Sequence, residues 1–291
     1  MSYYQVLGLE KEPFSTSPDP AFFFESKNHK AALANLMIEL RLKRGLSVVL
    51  GDVGTGKTTL GRKLIQMLRD RSGFVFHLIL DPSYPTEELF VKSLVRTFGI
   101  EIQNPAPTLL DYKESIEQYL FRMAAGNNET VVLVIDEAQK MSPMSLEILR
   151  MLLNYETNEY KLLQLVLLAQ VELMPNLVHM QNLLDRISMK CILEPLNREE
   201  TREMIDFRLR QAGFRGKYYL FLDEAIKEIH RATKGYPRKI SMLCHKALKS
   251  LVMKNSNQTA RSTLFHTQGH FCQIKEYLFT IWCCYTVSIE Q

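Results

Sequence analysis

Gly51-Asp52-Val53-Gly54-Thr55-Gly56-Lys57-Thr58-Thr59 decides the fold. It matches G-x-x-x-x-G-K-[ST], with Gly51, Gly56, Lys57 and Thr58 in the fixed places. The residues before it, Leu46 to Leu50, are apolar and mostly branched, the pattern of a buried strand. The residues after it, Leu60 to Arg69, carry apolar side chains at 60, 64, 65 and 68, which is helical spacing. Strand, glycine loop and helix together make a phosphate-binding loop. Glycine lets the backbone curl until its N–H groups converge on an anion, and the new helix adds its positive end. In that frame the loop binds ATP, Lys57 reaches the β- and γ-phosphates, and the Thr58 hydroxyl ligates Mg²⁺.

A second motif stands about 80 residues further on. Val131 to Ile135 is the most apolar strand-like run of the chain, and Asp136-Glu137 follow at its carboxyl end. Asp136 is expected in the Mg²⁺ shell and Glu137 as the base that orients and deprotonates the attacking water. Further strands are expected over Phe74–Leu80, Leu162–Ala169 and Lys190–Glu194. Helices are expected over Lys30–Lys43, Thr86–Phe98, Leu109–Ala125, Ser142–Tyr155 and Asn182–Ile187. Strands alternating with helices read as a doubly wound, five-stranded parallel sheet. Ligands of such sheets sit at the carboxyl ends of the strands, so Gln170 stands where it reaches a γ-phosphate or the attacking water; a solvated loop residue is the alternative. The acid pair falls on the third strand, which resembles the arrangement of nucleotide hydrolases in which an extra strand lies between the phosphate-loop strand and the acid strand.

The surroundings are plainer. Residues 1–25 are aromatic and proline-rich, too apolar to hang free and too rich in proline for a long helix. After Pro195 helices take over, at Arg198–Gln211, Asp223–Thr233 and Arg238–Met253, with only Tyr218–Leu222 strand-like. The expected domains are an arm and helix over 1–45, the nucleotide-binding domain over 46–195, a small helical lid over 196–254, and a tail over 255–291 of no assignable structure. Net charge is +4, which permits an acidic partner without requiring one, even with Arg62, Lys63, Arg69 and Arg71 together after the loop. The five cysteines form no C-x-x-C pair and suit a reducing compartment. No signal peptide opens the sequence, and the longest apolar run near its end, about 12 residues, is short of the roughly 20 a spanning helix needs. A cytoplasmic protein without a transmembrane segment is expected.

Up to about residue 254 the chain resembles bacterial AAA+ ATPases of the general secretion pathway protein A type, close to ATPases that assist DNA transposition. The resemblance rests on Leu7-Gly8-Leu9, Pro13-Phe14 and Ser17-Pro18-Asp19-Pro20 in the arm, then GDVGTGKTT at 51–59 and IDEAQ at 135–139. LLAQVEL at 167–173, DRI at 185–187, EPL at 194–196 and GYPRKI at 235–240 complete it. It implies that Gln170 is the first sensor, that Arg238 is the second sensor on the lid, and that Arg186 is an arginine finger acting on a neighbour's ATP, with Arg198 and Arg202 as nearby alternatives. It also aligns Phe24 and His29 with the adenine side. The chain departs from the family in having Ala169, where a glycine is usual, before the sensor glutamine. Secretion members also continue into a membrane span and a wall-binding domain, so the expectation is a shorter paralogue or an altered tail. The implied partners are a homo-oligomer, ring or filament, and an envelope-assembly protein at the inner membrane; duplex DNA is the alternative. A small-molecule kinase shares the loop, but the acid pair and GYPRKI weigh against it.

Overall fold

The computed structural model describes residues 2–69, 73–216 and 219–259. It divides into two compact units, one of residues 27–194 and one of residues 1–26 with the chain from Pro195 onward. The sequence-based boundary at residue 45 therefore falls inside the first unit.

The 27–194 unit is built on strands β1 (Leu46–Gly51), β2 (Phe74–Ile79), β3 (Thr130–Ile135), β4 (Leu163–Ala169) and β5 (Ile187–Leu193). They form one parallel sheet in the order β2-β3-β4-β1-β5. The expected extra strand is β4, which lies between β1 and β3. The three inner strands are buried along their whole length, as apolar runs without alternation require. The edge strand β5 is buried only in part. It begins at Ile187, three residues before its sequence-based start, because Ile187 pairs with Leu46 and the Ser188 hydroxyl donates to the Leu46 carbonyl at 3.0 Å.

The helices of this unit are α2 (Lys27–Arg41), α3 (Lys57–Arg69), α4 (Glu87–Phe98), α5 (Leu109–Phe121), α6 (Pro143–Leu152), α7 (Leu173–Val178) and α8 (Gln181–Leu184). Helix α4 shows why such segments start and stop where they do. The Thr86 hydroxyl accepts from the Leu89 N–H at 3.3 Å, Glu87 and Glu88 occupy the first turn, and Gly99 ends the helix with φ +69°. Its buried face, Phe90, Val91, Leu94 and Phe98, joins the core beside the sheet. Helix α7 was not foreseen; Pro175 in its first turn and its brevity hid the period. Helix α3 lies close on β4: a methyl group on Gly61 would stand 2.6 Å from Leu168 Cδ1.

The other unit comprises α1 (Tyr3–Val6), α9 (Arg198–Gln211), α10 (Asp223–Thr233) and α11 (Pro237–Thr259). The arm's aromatics are buried or half-buried there. Phe14 meets Phe221 edge-on at 6.1 Å, and Phe24 lies against Phe207 at 6.0 Å. The buried Arg208 on α9 donates to the Ser15 carbonyl at 2.8 Å and to the Ser241 hydroxyl on α11, tying the arm to the helices. Residues 219–222 are not a strand; Leu222 instead precedes α10. Arg71, Tyr218 and residues 260–291, most of the tail, lie outside the described residues. Among the described residues no helix is long and apolar enough to cross a membrane.

Candidate active site

The loop between β1 and α3 is shaped by its glycines. Gly54 and Gly56 take φ +85° and +104°, conformations that residues with a Cβ rarely adopt. Gly51 is needed for space instead: a Cβ there would sit 2.8 Å from Thr55 Oγ1 and 2.9 Å from the Leu193 carbonyl. The Thr55 hydroxyl donates to the Asp52 carbonyl at 2.9 Å. The Thr55 carbonyl, in turn, is 2.9 Å from Nε2 of the buried His29 on α2. A carbonyl only accepts, so that nitrogen carries the proton. His29 thus ties the loop to α2, a role its place in the sequence did not suggest. Asp52 and Val53 are exposed at the crest, and Thr59 lies half-buried in the first turn of α3.

Lys57 is 6% exposed. Its ammonium donates to the carbonyls of Gly51 at 2.7 Å and Asp52 at 3.0 Å. Burial pushes its pKa down from 10.5, and the carboxylates of Glu137, Asp136, Asp52 and Glu172 act against that shift. A desolvated cation held by two neutral acceptors at the start of α3 fits a polyphosphate.

The acid pair stands at the adjoining strand ends. Asp136 is buried; its Oδ2 accepts from the Thr58 hydroxyl at 2.6 Å and its Oδ1 from the Glu137 N–H at 2.9 Å. A hydroxyl and a carboxylate in contact are the oxygen donors a Mg²⁺ ion takes, so Thr58 and Asp136 fit that ion. Glu137 has φ +54°, a left-handed backbone that costs a non-glycine residue on the order of 1 kcal/mol. Its carboxylate accepts from Gln139 Nε2 at 2.9 Å, and Gln139 Oε1 accepts from the Gln170 N–H at 2.9 Å. The central position of β4 brings Gln170 between the loop and the acid pair. Gln139, the last residue of IDEAQ, carries no role of its own in the sequence reading, because a glutamine two residues past an acid has no spacing signature; the tight turn Ala138–Lys140 folds it back.

The structure does not bring every candidate together. Arg186 directly precedes β5, at the amino edge of the sheet. Ile187 pairs with Leu46, so Arg186 lies about 17 Å from Gly51 along β1, five parallel steps of roughly 3.3 Å. It donates to the Leu153 carbonyl at 3.2 Å and lines an open cleft of about 1200 Å³ with Lys43, Arg44, Tyr160 and Lys161. Arg198 and Arg202, the alternative fingers, are on α9 in the other unit, where Arg202 pairs with Asp223. Arg238 is exposed in the first turn of α11, in that unit too.

The family profile described as "AAA domain" matches residues 40–177, from the end of α2 through α7. The chain carries an AAA+ P-loop domain there. It is 35% identical over 258 residues to general secretion pathway protein A of Aeromonas hydrophila, which takes in 88% of this chain and 46% of that one. It therefore spans about half the length of that relative. Among solved structures it is similar to the ORC2 protein of Aeropyrum pernix in ADPNP-ADP complexes, with TM-score 0.57, 15% identity, and coverage of 86% of this chain and 66% of that one. It is also similar to the Aeropyrum pernix ORC1 protein in complex with DNA, with TM-score 0.58, 14% identity, and coverage of 92% and 69%. At such identities these likenesses establish the AAA+ fold alone: a parallel five-stranded P-loop sheet with helical segments after it.

Proposed function

We propose that this AAA+ protein binds ATP with Mg²⁺, hydrolyses it at a site shared between copies of itself, and uses the cycle to assist assembly of a secretion- or pilus-type envelope system. The observation that carries the hydrolytic part is the convergence at one sheet edge of the glycine loop, the desolvated Lys57, the Thr58–Asp136 contact and Glu137.

In this reading the loop amides of 52–56 and the start of α3 take the phosphates, and Lys57 leaves the Gly51 and Asp52 carbonyls for them. Thr58 and Asp136 would hold Mg²⁺, which supplies positive charge against the phosphates when bound. Glu137 accepts a proton from water as the water oxygen attacks the γ-phosphorus, and the bond to the bridging oxygen breaks with its electron pair leaving on ADP. Gln170 orients the water. Arg186 is out of reach of its own loop, which supports its acting on the loop of a neighbour and neutralising charge on the transferring phosphoryl group. The helices after Pro195 serve as the lid, and Arg238 as its sensor.

The likeness to general secretion pathway protein A supports the envelope role. A DNA-binding switch is the second reading, supported by the fold shared with a protein solved on DNA and by Arg69 exposed at the end of α3. The test is ATP turnover against protein concentration, with and without random duplex. Specific turnover that climbs with concentration and ignores duplex supports the envelope reading. Salt-sensitive stimulation by duplex supports the switch. Turnover independent of concentration refutes the shared site.

A further inference from the structure

We infer that Gln139 is a positioning residue for Glu137, coupling the attacking-water carboxylate to the end of β4. The inference rests on the hydrolytic reading of the site. The orientation of the Gln139 amide follows from its partners. The Gln170 backbone N–H can only donate, so it faces Oε1; the ionised Glu137 carboxylate can only accept, so it faces Nε2. A single planar amide therefore joins the carboxylate to the first backbone N–H beyond β4.

Glu137 needs such a restraint. Its left-handed backbone is set by the turn, and the other carboxylate at the site, Asp136, already accepts from Thr58 and from the Glu137 N–H. Among the described residues, Gln139 makes the one side-chain hydrogen bond to the Glu137 carboxylate. Gln139 is itself held on its far side, so its carboxamide cannot rotate without breaking the Gln170 contact. Any shift of backbone at Gln170, the residue proposed to orient the attacking water, reaches Glu137 through this amide. The competing role is a purely local one, in which Gln139 only caps the open end of β4.

Gln139→Glu separates the two. It keeps an oxygen for the Gln170 N–H, and so preserves a cap, but it sets two carboxylates against each other where the amide donated. Gln139→Leu removes both bonds. The experiment measures kcat and KM for ATP, binding of a fluorescent ATP analogue, and ¹⁵N–¹H spectra of the full chain and its variants. Both substitutions are expected to lower kcat about tenfold or more, while KM and analogue binding stay within about twofold. The Gln170 amide resonance should move in Gln139→Leu and stay close to wild type in Gln139→Glu. Full turnover in Gln139→Glu overturns the inference and leaves a cap. If the wild-type chain binds the analogue but does not turn ATP over, the hydrolytic reading fails instead. The spectra then decide the coupling: Glu137→Gln shifts the Gln139 side-chain NH₂ resonances if the inference holds, and leaves them unmoved if it does not.

Discussion

If Arg186 completes a neighbour's site, two inactive variants should restore each other. Lys57→Ala removes the phosphate-binding ammonium but leaves the chain its Arg186; Arg186→Ala leaves an intact loop facing a neighbour without the guanidinium. The structure sets the terms. Arg186 and the loop lie at opposite edges of the sheet, about 17 Å apart along β1, farther than an arginine side chain extends. Arg186→Ala therefore cannot weaken its own chain's site by losing a contact to ATP. Its local cost is a hydrogen bond to the Leu153 carbonyl, worth about 1 kcal/mol, too little to unfold the unit. Arginine fingers contribute on the order of 10³-fold or more to turnover, so each variant alone should fall at least about 100-fold. In a random equal mixture of head-to-tail oligomers, about one interface in four joins an intact loop to an intact Arg186, and the mixture should recover about a quarter of wild-type turnover per chain. The assay is steady-state phosphate release at a concentration where wild-type turnover has reached its plateau. No recovery in the mixture, or an Arg186→Ala rate equal to wild type, refutes the reasoning.

The remaining predictions concern the acid pair, the helical unit and Lys57. Glu137→Gln should keep nucleotide binding and lose about 100-fold or more of turnover, read by trapping of labelled ATP on the protein. Gly235→Ala should be among the most damaging single methyl additions. Its Cβ would stand 1.9 Å from the Leu196 carbonyl oxygen at a residue with φ +76°, and relief breaks the 2.9 Å bond from the Leu196 N–H to the Gly235 carbonyl. A left-handed alanine and a lost buried backbone bond together cost about 3 kcal/mol, or roughly 10 °C in Tm by calorimetry. Lys57→Met should change how nucleotide-free stability depends on pH. The folded pKa of Lys57 lies below its unfolded value of 10.5, so between the two the unfolded chain binds more protons and wild-type stability rises with pH. Below that window the burial penalty is present in full; above it the penalty is gone. The stability advantage of Lys57→Met over wild type should therefore shrink as the pH rises toward 10.5, read by urea denaturation.

Much of the site was legible in the residues because its chemistry is local. A glycine loop must lie between its strand and its helix within a few residues, and an acid pair must follow its strand directly, so GDVGTGKTT and IDEAQ carried Lys57, Thr58, Asp136 and Glu137 by themselves. The inner strands were legible for a related reason: burial on both faces demands unbroken apolar runs such as Val131–Ile135. Element ends were less legible. Ile187 reads as the close of a helix and is the start of β5, because pairing with Leu46 outweighs a weak local preference.

Tertiary structure alone decided what depends on strand order and on contacts distant in sequence. That β4 lies between β1 and β3, and so carries Gln170 to the nucleotide edge, is a property of the sheet and not of any segment. The same sheet sends Arg186 to the opposite edge, although it is only 16 residues from Gln170 in the chain. The contact of His29 with the loop and those of Gln139 with Glu137 and Gln170 could not be read from the residues, because a single side-chain hydrogen bond across 26 or 31 residues leaves no period or spacing to read. Local backbone chemistry wrote the phosphate loop and the acid pair into the sequence. The packing of parallel strands determined which other residues stand beside them.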